Sequence, residues 1–184
     1  MPTYFLDSSA LVKRHIAEAG HAWVEGICDP NAGNTIVIAE VALVEVVASF
    51  SRMVRERPQR LDEANRDRLI AYFETLAQSE YVIVQITRAI LTRAAGLCPR
   101  HPLRAYDAIQ LACALTRRDD EVVANQPAPI FVCADVNLLA VAQGEGFTIE
   151  NPNMRQEEGD TTPEPIPDVT PEPNEASDPN AETP

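Results

Sequence analysis

The residues Thr3-Tyr4-Phe5-Leu6-Asp7-Ser8-Ser9-Ala10-Leu11 open the chain with a short apolar run that ends in an acid and two serines. The run from Thr3 to Asp7 predicts a β-strand, and the serines are favoured caps for a helix that begins near Ala10. Strands alternating with helices predict an α/β fold with a central parallel sheet covered on both faces. Further strands are predicted at 34–39, 81–86, 130–134 and 147–150, and helices at 21–28, 41–55, 61–78, 87–97, 105–117 and 136–145.

The composition fits one folded domain followed by an acidic tail. The 184 residues are 45% hydrophobic and carry 28 acids and 15 bases, for a net charge of −13. Nine of these acids and seven of the 15 prolines lie in residues 156–184, which contain no base and are predicted to be disordered. We therefore expect a folded domain over residues 1–152 and a disordered acidic, Pro-rich tail over 153–184. Residues 1–155 hold 19 acids and 15 bases, so the overall acidity does not exclude a nucleic-acid partner.

Other classes of protein lack their signals in this sequence. No apolar stretch reaches the ~18 residues of a membrane helix, and no signal peptide is recognised, so we expect a soluble, cytoplasmic protein with no membrane partner. The three histidines have no zinc-site spacing, and the cysteines form no CxxC pair. We expect the cysteines to be reduced core residues.

Four carboxylates are out of place in this pattern. Asp7 and Asp135 each follow a predicted strand, so both lie at the same edge of the sheet if their strands are close together. Each also precedes a helix, so the alternative is that it is simply the N-cap of that helix. Glu45 lies within Val41–Ala48, a helix so apolar that we expect it to be buried on all sides, which requires a metal or a salt bridge with an arginine. Asp107 falls in the first turn of a later helix, where capping is again the alternative.

Together, these carboxylates predict a metal site. Converging acids raise each other's pKa values, and a bound cation removes the repulsion. Because no His or Cys cluster accompanies the acids, oxygen-ligated Mg²⁺ or Mn²⁺ is the consistent choice. Such a site suits phosphodiester hydrolysis.

The sequence resembles the PIN-domain nucleases and, within them, the VapC-type toxin ribonucleases. The resemblance covers about residues 3–152 and rests on four segments in the family's order. They are Phe5–Lys13, Leu43–Val46, His101–Ala108, and Phe131–Asp135 with Asn137–Leu139.

This resemblance implies a Mg²⁺- or Mn²⁺-dependent endoribonuclease with a PIN-like α/β/α sandwich. The family's acidic quartet falls on Asp7, Glu45, Asp107 and Asp135, and Ser9 would hold Asp7 or a metal-bound water by a hydrogen bond. We expect Asp7, Asp107 and Asp135 to ligate the main metal, directly or through water. Glu45 would then complete the shell and orient the attacking water. The resemblance further implies the toxin of a type II toxin-antitoxin pair, with an RNA substrate, a cognate antitoxin and a homodimer.

Some assignments have alternatives. Lys13 and Arg104 are candidates for phosphate contact, or are ordinary surface charges. The apolar face of the 61–78 helix is a candidate dimer contact. A haloacid dehalogenase-type phosphatase would need a second acid where this chain has Ser9, and a receiver domain would need an acidic pair near the first strand. The main alternative to the nuclease is a degenerate PIN-like module that binds RNA or protein without cleaving it.

Overall fold

The β-strands form one parallel sheet, in which they lie side by side in the order Tyr81–Val84, Thr35–Ala39, Thr3–Leu6, Ile130–Val132 and Ile149–Glu150. A computed structural model describes residues 1–155, and residues 156–184 of the predicted 153–184 tail lie outside the described residues. The predicted α/β fold with a central parallel sheet is confirmed. The strands are β1 (Thr3–Leu6), β2 (Thr35–Ala39), β3 (Tyr81–Val84), β4 (Ile130–Val132) and β5 (Ile149–Glu150).

Helices cover both faces of this sheet. Because successive side chains of a strand point to opposite faces, each strand contributes to two cores. Phe5 of β1 packs in the core under α5, α6 and α7, where its ring stacks on that of Phe131 with 5.6 Å between the centroids. Its neighbour Leu6 packs in the opposite core with α1 to α4. The helices are α1 (Ser8–Val12), α2 (His21–Cys28), α3 (Ala42–Glu56), α4 (Glu63–Ser79), α5 (Arg88–Leu97), α6 (Ala105–Val123) and α7 (Val136–Gly144), with short 3-10 turns at Pro30–Ala32 and Pro152–Met154.

The helix α6 is longer than predicted. The sequence prediction ended this helix near Arg117, and that boundary is wrong because the charged residues beyond it continue the helix to Val123. Arg117 pairs with Glu121 one turn later, and Asp119 accepts a salt bridge of 2.8 Å from Arg93 of α5. Paired charges on one helix face stabilise the helix where an unpaired run would favour a loop.

The apolar face of α4 is covered by the chain itself. Leu69, Phe73 and Leu76 are buried in the same core as α3. These three side chains are therefore unavailable to the dimer contact that we considered for this face, and the homodimer stays a prediction. Within residues 1–155, no helix combines the length and the apolar character needed to cross a membrane.

Candidate active site

The carboxyl ends of β1 and β4 lie side by side. Leu6 pairs with Val132 in the parallel ladder, and the backbone N–H of Asp7 donates to the Val132 carbonyl at 3.0 Å. Asp7 thus follows one strand and Asp135 follows its neighbour, so both acids emerge at the same edge. Each acid is also the N-cap of the next helix, α1 or α7. Both acids therefore cap a helix and also lie at the shared edge of the sheet, so the two predictions are compatible.

Asp7 is the most enclosed of the four acids. Its residue is only 6% exposed, and its Oδ1 accepts hydrogen bonds from the Ser9 hydroxyl at 2.7 Å and the Ala10 N–H at 3.0 Å. Burial raises the pKa of this carboxyl to about 6, against the lowering effect of those hydrogen bonds. The predicted hydrogen bond between Ser9 and Asp7 is present. The Ser9 oxygen also accepts the Ala134 N–H at 2.8 Å, so this hydroxyl links the ends of β1 and β4.

Glu45 lies on α3 beside the start of α1. The helix is not buried on all sides as predicted: Val44 is 69% exposed, and Glu45 itself is partly exposed. The carboxylate does not pair with an arginine in the described residues. Instead, its Oε2 accepts hydrogen bonds from the Ser8 hydroxyl and from the Gln110 amide, the latter at 2.7 Å.

Asp107 is electrostatically coupled to two of the other acids. It is the third residue of α6 and is half-buried. Burial is the main cause that raises its pKa, and the charges of Asp135 and Glu45 raise it further, whereas the backbone amide and the charge of Arg104 lower it. Asp135 is exposed and holds its Oδ1 on the N–H groups at the start of α7, at 2.7 and 3.2 Å.

The two basic candidates have different environments. Lys13 is only 5% exposed, and its ammonium group donates to Glu18 at 2.9 Å and to the Ala19 carbonyl at 3.0 Å. A buried, paired ammonium cannot meet a phosphate without losing both partners, so the structure corrects the proposed phosphate contact of Lys13. Arg104 is exposed at the start of α6, next to Asp107, and its phosphate contact stays a prediction.

A family model for the PIN domain matches residues 4–126. The chain belongs to the PIN domain family. PIN domains are generally metal-dependent nucleases. The matched residues include Asp7, Glu45 and Asp107 but end before Asp135, whose assignment to the site rests on the pairing of β4 with β1. A search of the curated proteins finds no match.

The acids of this PIN domain suit a hard divalent cation in their chemistry. All are carboxylates, and Mg²⁺ and Mn²⁺ prefer oxygen ligands. In the part of the chain that the structure describes, Glu45 and Asp135 each use one oxygen for hydrogen bonds and leave the other without a donor. Within residues 1–155, however, no group of three or more His, Cys, Asp or Glu side chains is close enough to hold a metal ion. Repulsion between the negatively charged carboxylates favours larger distances between them when no cation is bound. Hydrogen bonds from nearby donors hold the carboxylates in these positions.

Two polar residues at the PIN-domain site were missed in the sequence. Ser8 and Gln110 both bind the Glu45 carboxylate, and Gln110 also donates to the Ser8 oxygen at 2.6 Å. A signal for Gln110 was available, because it is the one amide in the apolar stretch Ala108–Leu115 and lies three residues after Asp107. Residues three apart share a helix face, so Gln110 faces the same way as that acid.

Proposed function

We propose that the protein is a Mg²⁺- or Mn²⁺-dependent endoribonuclease that hydrolyses phosphodiester bonds in RNA. One observation carries the proposal: the parallel pairing of β1 with β4 places Asp7 and Asp135 at the same edge of the sheet, where the charges of Asp135 and Glu45 also contribute to the raised pKa of Asp107. A carboxylate whose pKa is raised by neighbouring negative charges is unfavourable in its ionised form unless a cation or a proton is shared with those neighbours. The family assignment supports a nuclease, and the all-oxygen donor set supports a hard cation.

The four acids would divide two tasks in this reaction. Asp7, Asp107 and Asp135 would hold the cation, directly or through water. Ser9 fixes the Asp7 carboxylate, and the first N–H groups of α7 fix Asp135, so neither has to be ordered when substrate binds. Glu45, fixed through one oxygen, would use the other to orient the attacking water. The metal would supply a hydroxide nucleophile and stabilise the charge that develops on the phosphate.

We further propose that the enzyme is a cytoplasmic VapC-type toxin of a type II toxin-antitoxin pair, with a cognate antitoxin and a homodimeric state. The sequence segments shared with that group support this assignment. Arg104 supports an RNA substrate, because its side chain is exposed beside Asp107 and a guanidinium matches phosphate geometry. The alternative is a module that binds RNA or protein without cleavage. That alternative is favoured by the finding that no three metal-ligand side chains in residues 1–155 converge.

The test is cleavage of structured RNAs by the full chain with Mg²⁺, with Mn²⁺ and with EDTA. We expect cleavage with either metal, none with EDTA, and none by the variant Asp7→Asn with any of them. Asp62→Asn is a matched control, since Asp62 is also a helix N-cap but lies at the exposed start of α4. Lack of cleavage by the natural protein would favour the binding module, and cleavage by Asp7→Asn would contradict the site.

The toxin assignment has a separate test in cells. Induced expression of the natural chain should arrest growth, and expression of Asp7→Asn at the same level should not. Growth arrest by both chains would mean that toxicity does not depend on the proposed site.

A further inference from the structure

A three-residue hydrogen-bond cluster joins the elements that carry the acids. The Gln110 amide nitrogen donates to the Ser8 oxygen at 2.6 Å and to Glu45 Oε2 at 2.7 Å, and the Ser8 hydroxyl donates to the same Glu45 oxygen. These side chains belong to α6, α1 and α3. Asp107 is on α6 as well, and Asp7 caps α1. The Gln110 amide therefore links the three helices that carry or adjoin Asp7, Glu45 and Asp107.

The orientation of the Gln110 amide follows from its partners. A carboxylate only accepts hydrogen bonds, so the NH₂ end must face Glu45. The residue is only 2% exposed, and its carbonyl oxygen Oε1 is buried without a hydrogen-bond partner in the described residues. An unpaired buried acceptor is destabilising, and an apolar side chain of the same size would avoid that loss. Stability alone does not explain an amide in this apolar stretch.

The cluster also selects one oxygen of Glu45. Both donors bind Oε2, so Oε1 is the oxygen without a hydrogen bond from the described residues. Gln110 lies one helical turn beyond Asp107, and the rigid α6 backbone therefore sets the position of Glu45 relative to Asp107.

We propose that Gln110 is a positioning residue that, with Ser8, fixes the Glu45 carboxylate for metal binding and for orienting the attacking water. This inference rests on the proposed function. It adds that the metal affinity of the site depends on an uncharged residue that touches neither the metal nor the RNA. Partners of this kind, which orient ligands, typically change metal affinity or activity by about 10–100-fold when they are removed.

The test compares Gln110→Met with the natural protein. Methionine has a similar volume and removes both donors together with the unpaired acceptor. Leu115→Met is the control, because Leu115 is equally buried on α6 but contacts the core under α5 and α7. Mn²⁺ affinity would be measured by calorimetry, and kcat and KM with an RNA that the natural protein cleaves.

For Gln110→Met we expect about 10–100-fold weaker Mn²⁺ binding or an equally reduced kcat. KM for RNA should be unchanged, and the melting temperature in EDTA should stay close to that of the natural protein, because the loss of the hydrogen bonds to Glu45 and Ser8 is offset by removal of the unpaired acceptor. A structural role would instead lower the melting temperature. The control should match the natural protein in all four quantities.

The outcomes separate this inference from the function on which it rests. If the natural protein neither binds Mn²⁺ nor cleaves RNA, the proposed function is wrong. The inference, which rests on that function, is then wrong as well. If the natural protein does both and Gln110→Met behaves identically, only the role of Gln110 is overturned. Should Gln110→Met fail to fold, Ser8→Ala decides, because it removes a smaller group from the same Glu45 oxygen. Unchanged Mn²⁺ affinity and kcat in Ser8→Ala would then overturn the inference.

Discussion

Replacing the buried acid Asp7 by asparagine should make the metal-free protein more stable while it abolishes cleavage. Asparagine is as good an N-cap as aspartate, and its carbonyl oxygen can accept the same hydrogen bonds from Ser9 and Ala10. What the substitution removes is a buried negative charge.

The magnitude follows from the pKa of the carboxyl. Burial raises it to about 6 in the folded chain, from an ordinary value of 3.8. At about 1.4 kcal/mol per pH unit of difference, the ionised Asp7 lowers the free energy of unfolding by about 3 kcal/mol. The folded chain retains a proton that the unfolded chain releases, so the contribution of this group is most favourable below pH 3.8. It is lost as the pH rises through about 6.

Urea unfolding in EDTA, followed by circular dichroism from about pH 4 to about pH 8, measures this difference. The gain in Asp7→Asn should be small at the acid end and approach about 3 kcal/mol at the alkaline end. Asp62→Asn, the exposed cap of α4, should show no comparable pH-dependent gain. A variant less stable than the natural protein at about pH 8, or a gain independent of pH, would refute the reasoning.

Three further substitutions test other parts of the structure. Burial lowers the pKa of His15 to about 3, and its ring nitrogens have no hydrogen-bond partner within residues 1–155, so its contribution to stability is full above pH 6.5 and declines as the pH falls toward 3. Between about pH 7 and about pH 4.5, the free energy of unfolding of the natural protein should therefore fall by about 3 kcal/mol more than that of His15→Leu. Urea unfolding at the two pH values measures this difference. In Gly20→Ala, the new Cβ would lie 2.2 Å from the Pro152 carbonyl oxygen at a φ of +84°, and the left-handed backbone alone costs about 1–2 kcal/mol, so the melting temperature should fall. Asp135→Asn should keep the α7 cap and the melting temperature but lose metal-dependent RNA cleavage, whereas Asp135→Ala should also lose about 1 kcal/mol of stability in thermal melts.

Much of the fold could be predicted because its signals are local. The alternation of short apolar runs with helical patterns is contained within windows of a few residues, and Thr87 caps α5 as its sequence position indicates. The edge on which Asp7 lies follows from parallel topology. The pairing of β4 with β1 does not, since residues more than 120 apart in the chain meet there. From the sequence, Asp7 and Asp135 share one edge of the sheet only if their strands are close together. The structure shows that these strands are neighbours.

The rest of the site depended on contacts between distant elements. Whether Lys13 reaches solvent depends on the loop that brings Glu18 and Ala19 against it. The partner of Glu45 could not be read from α3 itself, because Gln110 arrives from a helix that begins 60 residues later. The apolar composition of Val41–Ala48 led to the incorrect prediction that this helix is buried on all sides. Val44 faces outward and is exposed.

The strand order has a consequence for the chain during its synthesis. β1 is made first, yet its neighbour β4 is among the last elements of the domain to leave the ribosome. Until then a nascent chain has three of the four acids but neither Asp135 nor the Ala134 amide that binds Ser9. A translation product that stops before β4 therefore has an incomplete site. If the protein cleaves RNA as proposed, activity begins only with a nearly finished domain, and prematurely terminated chains are inactive.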